Sequence, residues 1–117
     1  MQDFRKLKIW EMSLDLSEEI YKITKNYPKN ERFGVISQMQ RSATSVGANL
    51  VEGAGRNTSK EFNYFLGISM GSLSELDYFV ELSVRLKYLE KSKANKILYE
   101  INSLRKMIIS LKKKLKT

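Results

Sequence analysis

Cysteine and histidine are both missing from this sequence of 117 residues. Without them the chain has no disulfide, no thiolate nucleophile and no zinc site built on those ligands. Ser-His-Asp and Cys-His catalysis are excluded, as are the Glu-x-x-His pairs of di-iron helical bundles. The sequence therefore predicts a protein that is not an enzyme, with no catalytic residue, no metal site and no cofactor.

Proline occurs once, at Pro28, and no Gly/Ser-rich linker divides the chain. We expect one domain over residues 1–117, which is large enough to bury a core. The first residues lack the apolar segment of a signal peptide, and no apolar run approaches the roughly 20 residues that cross a bilayer. Together with the absence of cysteine, this favours a cytoplasmic protein with no membrane partner.

Acidic residues are scarce in the last part of the chain. Residues 91–117 contain nine Lys and Arg but one acid, Glu100, whereas residues 1–90 contain twelve of each sign. The net charge of +8 therefore comes from the last 27 residues and predicts a polyanionic partner, RNA or DNA. Lysines at a helix end also complement the helix dipole, so a structural explanation stays open. The predicted nucleic-acid-binding residues are Lys93, Lys96, Arg105, Lys106, Lys112, Lys113, Lys114 and Lys116.

Helical periodicity is the main pattern that the chain does contain. Apolar residues recur at spacings of three and four in four segments, at about 4–27, 30–53, 59–86 and 92–115. Pro28 ends the first segment, and Thr58 with Glu61 forms a capping box before the third. The connections are short, so we predict an all-α fold, an antiparallel up-down-up-down four-helix bundle.

The first helix carries two apolar stripes, about 140° apart around its axis. One contains Leu7, Trp10 and Leu14, and the other runs from Ile9 to Ile23. A single bundle cannot bury both, so one stripe is predicted to lie between the subunits of a homo-oligomer, and periodicity does not say which. The candidate interface residues are Leu7, Ile9, Trp10, Leu14, Leu16, Ile20 and Ile23.

The second helix has an apolar face that begins with Phe33 and Ile36, and an opposite face of short polar side chains. This polar face is either a seam buried between helices or subunits, or a surface for a ligand or a nucleic acid. We predict that Arg41, Asn49 and Glu52 form one connected cluster with Arg56. The whole polar set is Gln38, Arg41, Ser45, Asn49, Glu52 and Arg56.

With these features, the sequence resembles the bacterial four-helix-bundle family of 23S rRNA intervening-sequence proteins, also called the S23 ribosomal protein family. The resemblance covers nearly the whole chain. It rests on FRKLKIW at 4–10, SQ at 37–38, RSA at 41–43, AN at 48–49, VEG at 51–53, GR at 55–56, KEF at 60–62 and GSLSEL at 71–76.

The resemblance implies a homopentameric ring or barrel of antiparallel four-helix bundles. It also implies nucleic-acid binding, which would be directed mainly at the backbone because no base-reading motif occurs in the sequence. Relatives in this family act beside the reverse transcriptase of diversity-generating retroelements. The alternative is therefore an oligomeric scaffold that holds a protein partner such as a reverse transcriptase.

Overall fold

Four α-helices form most of the computed structural model, which describes residues 3–115. No strand occurs among these residues, so the predicted all-α class is confirmed. The helices are α1, Lys8–Thr24; α2, Val35–Ala54; α3, Ser59–Arg85; and α4, Lys91–Lys114, with single-turn 3-10 helices at Phe4–Lys6 and Lys29–Glu31.

Each helix lies beside the next along the chain, and α4 returns to α1. Within the described residues the diagonal pairs, α1 with α3 and α2 with α4, do not approach each other closely. At one end Tyr27, which follows α1, packs in a tilted arrangement against Tyr88, which precedes α4, with ring centroids 5.4 Å apart. At the other end Lys112 of α4 donates a hydrogen bond to Asn63 in α3. The order around the bundle is therefore α1, α2, α3, α4, up and down in turn, as predicted.

Aliphatic side chains from all four helices fill the core. In α4 the buried residues follow the predicted alternation of three and four, from Ala94 to Ile108. Each fully buried side chain of this size contributes about 1.5–3 kcal/mol relative to an exposed one. The largest fully buried side chains are Leu16, Ile20, Met39, Val46, Leu50, Leu66, Leu73, Leu76, Ile97, Ile101, Leu104 and Ile108.

The structure distinguishes the two stripes of α1. Ile9, Leu16, Ile20 and Ile23 are buried in the core of the single chain. These four residues face α2 and α4, so their assignment as candidate interface residues is corrected. Leu7 and Trp10 are only partly buried, and Leu14 is 48% exposed. The stripe of Leu7, Trp10 and Leu14 is therefore the one left open on the outside of the bundle.

The second helix begins later than predicted, at Val35 instead of near Asn30. Gly34 precedes it with a φ of −112° and a ψ of −115°, outside both the helical and the extended regions, and residues 29–31 form a separate 3-10 turn. Phe33 therefore does not belong to the apolar face of α2 and is 87% exposed. The first helix is also shorter than predicted, because the chain before Lys8 makes a 3-10 turn and residues 25–28 form the connection.

Small residues allow α2 to pack closely against its neighbours. A Cβ added to Gly53 would lie 2.8 Å from Phe65 and 2.9 Å from Phe62, both on α3. A Cβ added to Gly47 would lie 2.8 Å from the Ser13 hydroxyl of α1. Gly53 therefore requires the absence of a side chain for the observed helix spacing, whereas a side chain at position 47 would need the Ser13 hydroxyl to rotate away.

The end of the bundle that contains Tyr27 and Tyr88 is called the tyrosine end here. The Tyr88 hydroxyl donates to Oε2 of Glu31 over 2.8 Å, while Oε1 of Glu31 accepts from the backbone N–H of Val35 over 3.3 Å. Glu31 thus joins the start of α2 to the α3–α4 connection. The Tyr27 hydroxyl is buried beside Ser83, and burial raises its pKa, an effect that Ser83 partly offsets.

Candidate nucleic-acid interface

Positive charge is concentrated at the opposite end of the bundle, called the basic end here. It is built from residues 3–12, 49–66 and 105–115, which contain ten Lys and Arg but four acids. Residues 13–48 and 67–104, which form the rest of the bundle, contain ten Lys and Arg and nine acids. Six of the eight excess charges therefore lie at the basic end, because acids are scarce there.

The antiparallel order of the helices brings the two ends of the described chain together at the basic end. Asp3 accepts a hydrogen bond from the backbone N–H of Arg5 and so caps the 3-10 turn before α1. Lys8, the first residue of α1, and Lys114, the last of α4, line the same groove. The exposed cations at this end are Arg5, Lys6, Lys8, Arg56, Lys60, Lys106, Lys113 and Lys114.

Lys112 differs from its neighbours because it bonds to another helix. Its Nζ donates to Oδ1 of Asn63 over 2.6 Å and to the Asn63 carbonyl over 3.0 Å. The side chain is half-buried between α4 and α3. Lys112 therefore makes a structural contact between helices, and its assignment to the nucleic-acid surface stays a prediction.

Lys93 and Lys96 lie in the other half of α4. They line a groove with Glu19 and Lys22 of α1, where the two signs of charge are mixed. Burial raises the pKa of the nearby Glu100; Lys96 lowers it, while Glu19 and Asp15 raise it further. Lys93 and Lys96 therefore lie among acidic side chains, unlike the cations of the basic end.

The remaining predicted cations are divided between bonded and exposed positions. Arg105 is half-buried, and its Nη1 donates to Oδ1 of Asn102 over 2.6 Å. Lys106, Lys113 and Lys114 are exposed. Lys116 lies outside the described residues.

The polar side chains of α2 separate into two groups instead of one cluster. In the first, Asn49 Nδ2 donates to the Ser45 carbonyl over 2.9 Å and to its hydroxyl over 3.0 Å. Ser72 of α3 donates to the same Ser45 hydroxyl over 2.8 Å. This group is a polar seam between α2 and α3, as the first of the two explanations for this face predicted.

The second group centres on Arg56, which follows α2. Its Nη2 lies 2.9 Å from Glu52 and its Nη1 3.6 Å from Glu61, while its guanidinium lies 4.8 Å from the Phe65 ring centroid. Thr58 caps α3 by accepting from the Glu61 N–H over 3.1 Å, as predicted. Arg56 and Glu52 are 41% and 52% exposed, so this network lies at the surface.

Gln38 and Arg41 belong to neither group. Within residues 3–115 their side chains make no hydrogen bond or ion pair, and Arg41 is exposed. Helical spacing correctly placed both residues on the polar face, but a shared face did not bring their side chains into contact.

Sequence reasoning missed four exposed cations of the basic end: Arg5, Lys6, Lys8 and Lys60. Each lies in a segment whose formal charges nearly cancel along the sequence. The predicted antiparallel order was sufficient to find them, because it places the starts of α1 and α3 beside the end of α4.

Within the described part of the chain, no group of three or more acids could hold a metal ion. No helix there is both long and apolar enough to cross a membrane.

Comparisons with known proteins place the chain in a family. Residues 5–110 match the family model described as 23S rRNA-intervening sequence protein. A crystal structure of a protein of unknown function from the S23 ribosomal protein family of Bacteroides thetaiotaomicron superposes with a TM-score of 0.83. It is 26% identical in sequence, and the match covers 90% of this chain and 95% of that one. No curated protein matches the sequence. The chain belongs to the 23S rRNA-intervening sequence protein family.

Proposed function

We propose that this protein is a non-catalytic, homo-oligomeric nucleic-acid-binding protein of the cytoplasm that holds the phosphate backbone at its basic end. The observation that carries the proposal is the excess of ten Lys and Arg over four acids at that end. Cations that neutralise phosphates release condensed counterions, which favours binding without any base contact.

The few acids of the basic end leave most of its cations unmatched. Within residues 3–115, the ion pairs present all involve Arg56, which engages two of the four acids of that end, Glu52 and Glu61. Arg5, Lys6, Lys8, Lys60, Lys113 and Lys114 are free to meet phosphates. Several copies in one assembly would multiply this charge.

RNA is the first nucleic acid to test, because the family description refers to 23S rRNA. We propose no catalytic role for this protein. The sequence lacks the groups that the common nucleophilic mechanisms require, and Glu52 is paired with Arg56 at the surface.

The test compares two variants that remove equal charge from the two ends. Lys6, Lys8 and Lys114 are changed to Gln in one, and Lys25, Lys29 and Lys91 to Gln in the matched control. Fluorescence anisotropy measures affinity for unrelated RNA and DNA oligonucleotides between about 50 and 200 mM salt, the range in which phosphate-directed binding falls steeply.

We expect the basic-end variant to bind all sequences more weakly, and its salt slope to become shallower by about 0.7–0.9 for each phosphate that is no longer neutralised. The control should bind nearly as the unmodified protein does. Two results would overturn the proposal: no binding of any polynucleotide at the lowest salt, or equal weakening in the two variants.

A second candidate function is a scaffold for another protein, such as a reverse transcriptase. The observation that favours it is the exposed apolar surface of the bundle, including Leu14, Tyr64 and Tyr99. Binding through such residues would change little with salt, which distinguishes this candidate in the same titration.

A further inference from the structure

A small pocket, called the end pocket here, lies at the basic end between the start of α1 and the end of α4. It has a volume of about 210 Å³. Its floor and walls are apolar and are formed by Leu7, Ile9, Met107 and Leu111. Ile9 is buried, and the other three side chains are partly buried. Because α1 packs less closely against α4 than against α2, the two helix ends leave this space between them.

The rim of the end pocket is polar and positively charged. It carries Lys8 on α1, and Ser110 and Lys114 on α4, all three exposed. Within residues 3–115 these three side chains form no hydrogen bond or ion pair. The chain has no acid from residue 101 to residue 115. An apolar cavity is thus flanked by two ammonium groups that remain available for an anion.

We propose that the end pocket binds one unpaired base of a single-stranded nucleic acid, while Lys8 and Lys114 hold the phosphates on either side of that base. This proposal rests on the phosphate-binding basic end in the function proposed above and adds a preference for single strands. An unpaired base is free to turn away from its strand, whereas a base in a duplex must first be unpaired and unstacked.

The size of the end pocket fits one base. Its 210 Å³ lies below the roughly 300–1,000 Å³ of pockets for drug-sized ligands, so it has room for one planar ring system. The flat faces of a base are its least polar surfaces, and they match the apolar walls. Met107 is flexible and polarizable, so it adapts to purines and pyrimidines alike.

The lining of the end pocket also predicts little preference among the four bases. Reading a base requires side chains that match the donors and acceptors on its edge, as Asn, Gln and Arg do. None of these three residue types lines the pocket, and Ser110 contributes a single hydroxyl. The pocket therefore distinguishes a strand with accessible bases from one without them, and not one sequence from another.

Acidic side chains limit how far a strand can extend from the end pocket. Farther along the cleft between α1 and α4, Asp15 and Glu19 lie near Glu100, and both raise its pKa. Phosphates that followed the cleft would meet these carboxylates and be repelled. A strand therefore approaches from the end of the bundle and inserts one base.

The direct test compares two single strands with the same phosphates. One is an oligothymidine of about 10 nucleotides, a length typical of single-strand binding sites, and the other is an abasic strand of the same length. Fluorescence anisotropy at the lowest salt of the titration above measures both affinities. We expect the abasic strand to bind about tenfold more weakly with an unchanged salt slope, because its phosphates are the same.

This effect is of a reasonable size for one base. A tenfold change corresponds to about 1.4 kcal/mol, which the burial of roughly 55 Å² of apolar surface provides. That area is a fraction of the surface of one base. Equal affinities for the two strands would overturn the proposal.

Ser110→Phe tests the position of the site, because it places a large apolar side chain at the rim and removes no charge. It should bind oligothymidine about tenfold more weakly and the abasic strand as before. The matched control is Ser92→Phe, the same substitution at an exposed position of α4 near the tyrosine end, which should bind both strands as the unmodified protein does. A Ser110→Phe variant that still prefers oligothymidine as strongly as this control would contradict the end pocket.

Circular dichroism and sedimentation velocity check the fold and the assembly of both serine variants. Both positions are exposed, so we expect each variant to fold and assemble as the unmodified protein does. A Ser110→Phe variant that folds but changes its assembly would show that another protein surface covers the end pocket, which would also overturn the proposal.

A duplex provides an independent comparison. Duplex DNA releases more counterions per neutralised phosphate than a single strand does, so a surface that binds phosphates alone should favour the duplex. We expect the unmodified protein instead to bind a strand of mixed sequence more tightly than the same strand paired with its complement. Ser110→Phe should lose this preference. Tighter binding of the duplex by the unmodified protein would contradict the proposal.

The two proposals fail in different ways. If oligothymidine, the abasic strand and the duplex all fail to bind at the lowest salt, both the basic end and the end pocket are wrong. If all three bind and the Lys6, Lys8 and Lys114 variant weakens them equally, with no difference between oligothymidine and the abasic strand, the basic end stands and the end pocket alone is wrong.

Discussion

The basic end and the rest of this bundle carry the same number of Lys and Arg, ten each, but differ in their acids and in how their elements are joined. At the tyrosine end, Glu31 bonds two separate elements, and Tyr27 packs on Tyr88. At the basic end most cations are exposed, and Lys112 is the lysine that joins two helices. The difference indicates that the tyrosine end stabilises the fold, whereas substitution of the exposed cations at the basic end should change the free energy of unfolding little.

The largest expected effect is at the tyrosine end. Tyr27→Ala should lower the free energy of unfolding by about 3–5 kcal/mol, because it leaves a cavity where a buried ring packs on Tyr88. Lys113→Ala at the basic end should change it by less than about 0.5 kcal/mol. Urea unfolding followed by circular dichroism measures both. A decrease below about 1 kcal/mol for Tyr27→Ala would remove the contrast between the ends.

Tyr27→Phe is the control for this prediction. It keeps the ring and removes a buried hydroxyl that has no hydrogen-bond partner within the described chain. Stability should stay the same or rise, because the buried hydroxyl no longer has to be desolvated.

An intermediate effect is expected at Lys112, the structural lysine of the basic end. Lys112→Gln removes two hydrogen bonds from an ammonium group to Asn63 and should cost about 1–2 kcal/mol. Lys113→Gln removes the same charge one position later and should cost less than about 0.5 kcal/mol. Equal melting temperatures for the two variants would show that the contact with Asn63 contributes nothing.

The smallest effect concerns Glu100, which lies in the half of α4 near the tyrosine end. Burial raises its pKa in the folded protein, Glu19 and Asp15 add to this, and Lys96 opposes it. The folded state therefore binds this proton more tightly, so the stabilisation that protonation provides is complete below the ordinary pKa of 4.5 and is lost as the pH rises through the raised value. Glu100→Gln should raise the melting temperature slightly at pH 7 and leave it unchanged below about pH 4, where the carboxyl is already neutral. A difference that is the same at both pH values would contradict this explanation.

Periodicity in the sequence was sufficient to predict the four helices, the core of α4 and the order of the bundle. It could not distinguish the stripes of α1, since both are apolar at helical spacing and the packing of α2 and α4 decides which one is covered. It also extended α2 back to Phe33. The 3-10 turn at residues 29–31 and Gly34 delay the start of the helix to Val35, but they do not interrupt the spacing of apolar residues in the sequence.

The candidate site was predictable only in part. Charge counting along the chain found the lysines of α4 but could not detect that Lys112 reaches Asn63, a residue 49 positions earlier. It overlooked Lys8 because neighbouring acids balance that segment in the sequence. Similarly, the polar face of α2 revealed Ser45 and Asn49, whereas their partner Ser72 comes from another helix.

The even number of antiparallel helices has a practical consequence for anyone who handles this protein. Asp3 and Leu115, the first and last described residues, both lie at the basic end. An affinity tag or a fused domain attached to either terminus would therefore sit beside the cations whose binding is to be measured, and could block or imitate it. A label attached to the exposed side chain of Lys29 would lie at the far end of the 44 Å long bundle and leave that surface clear.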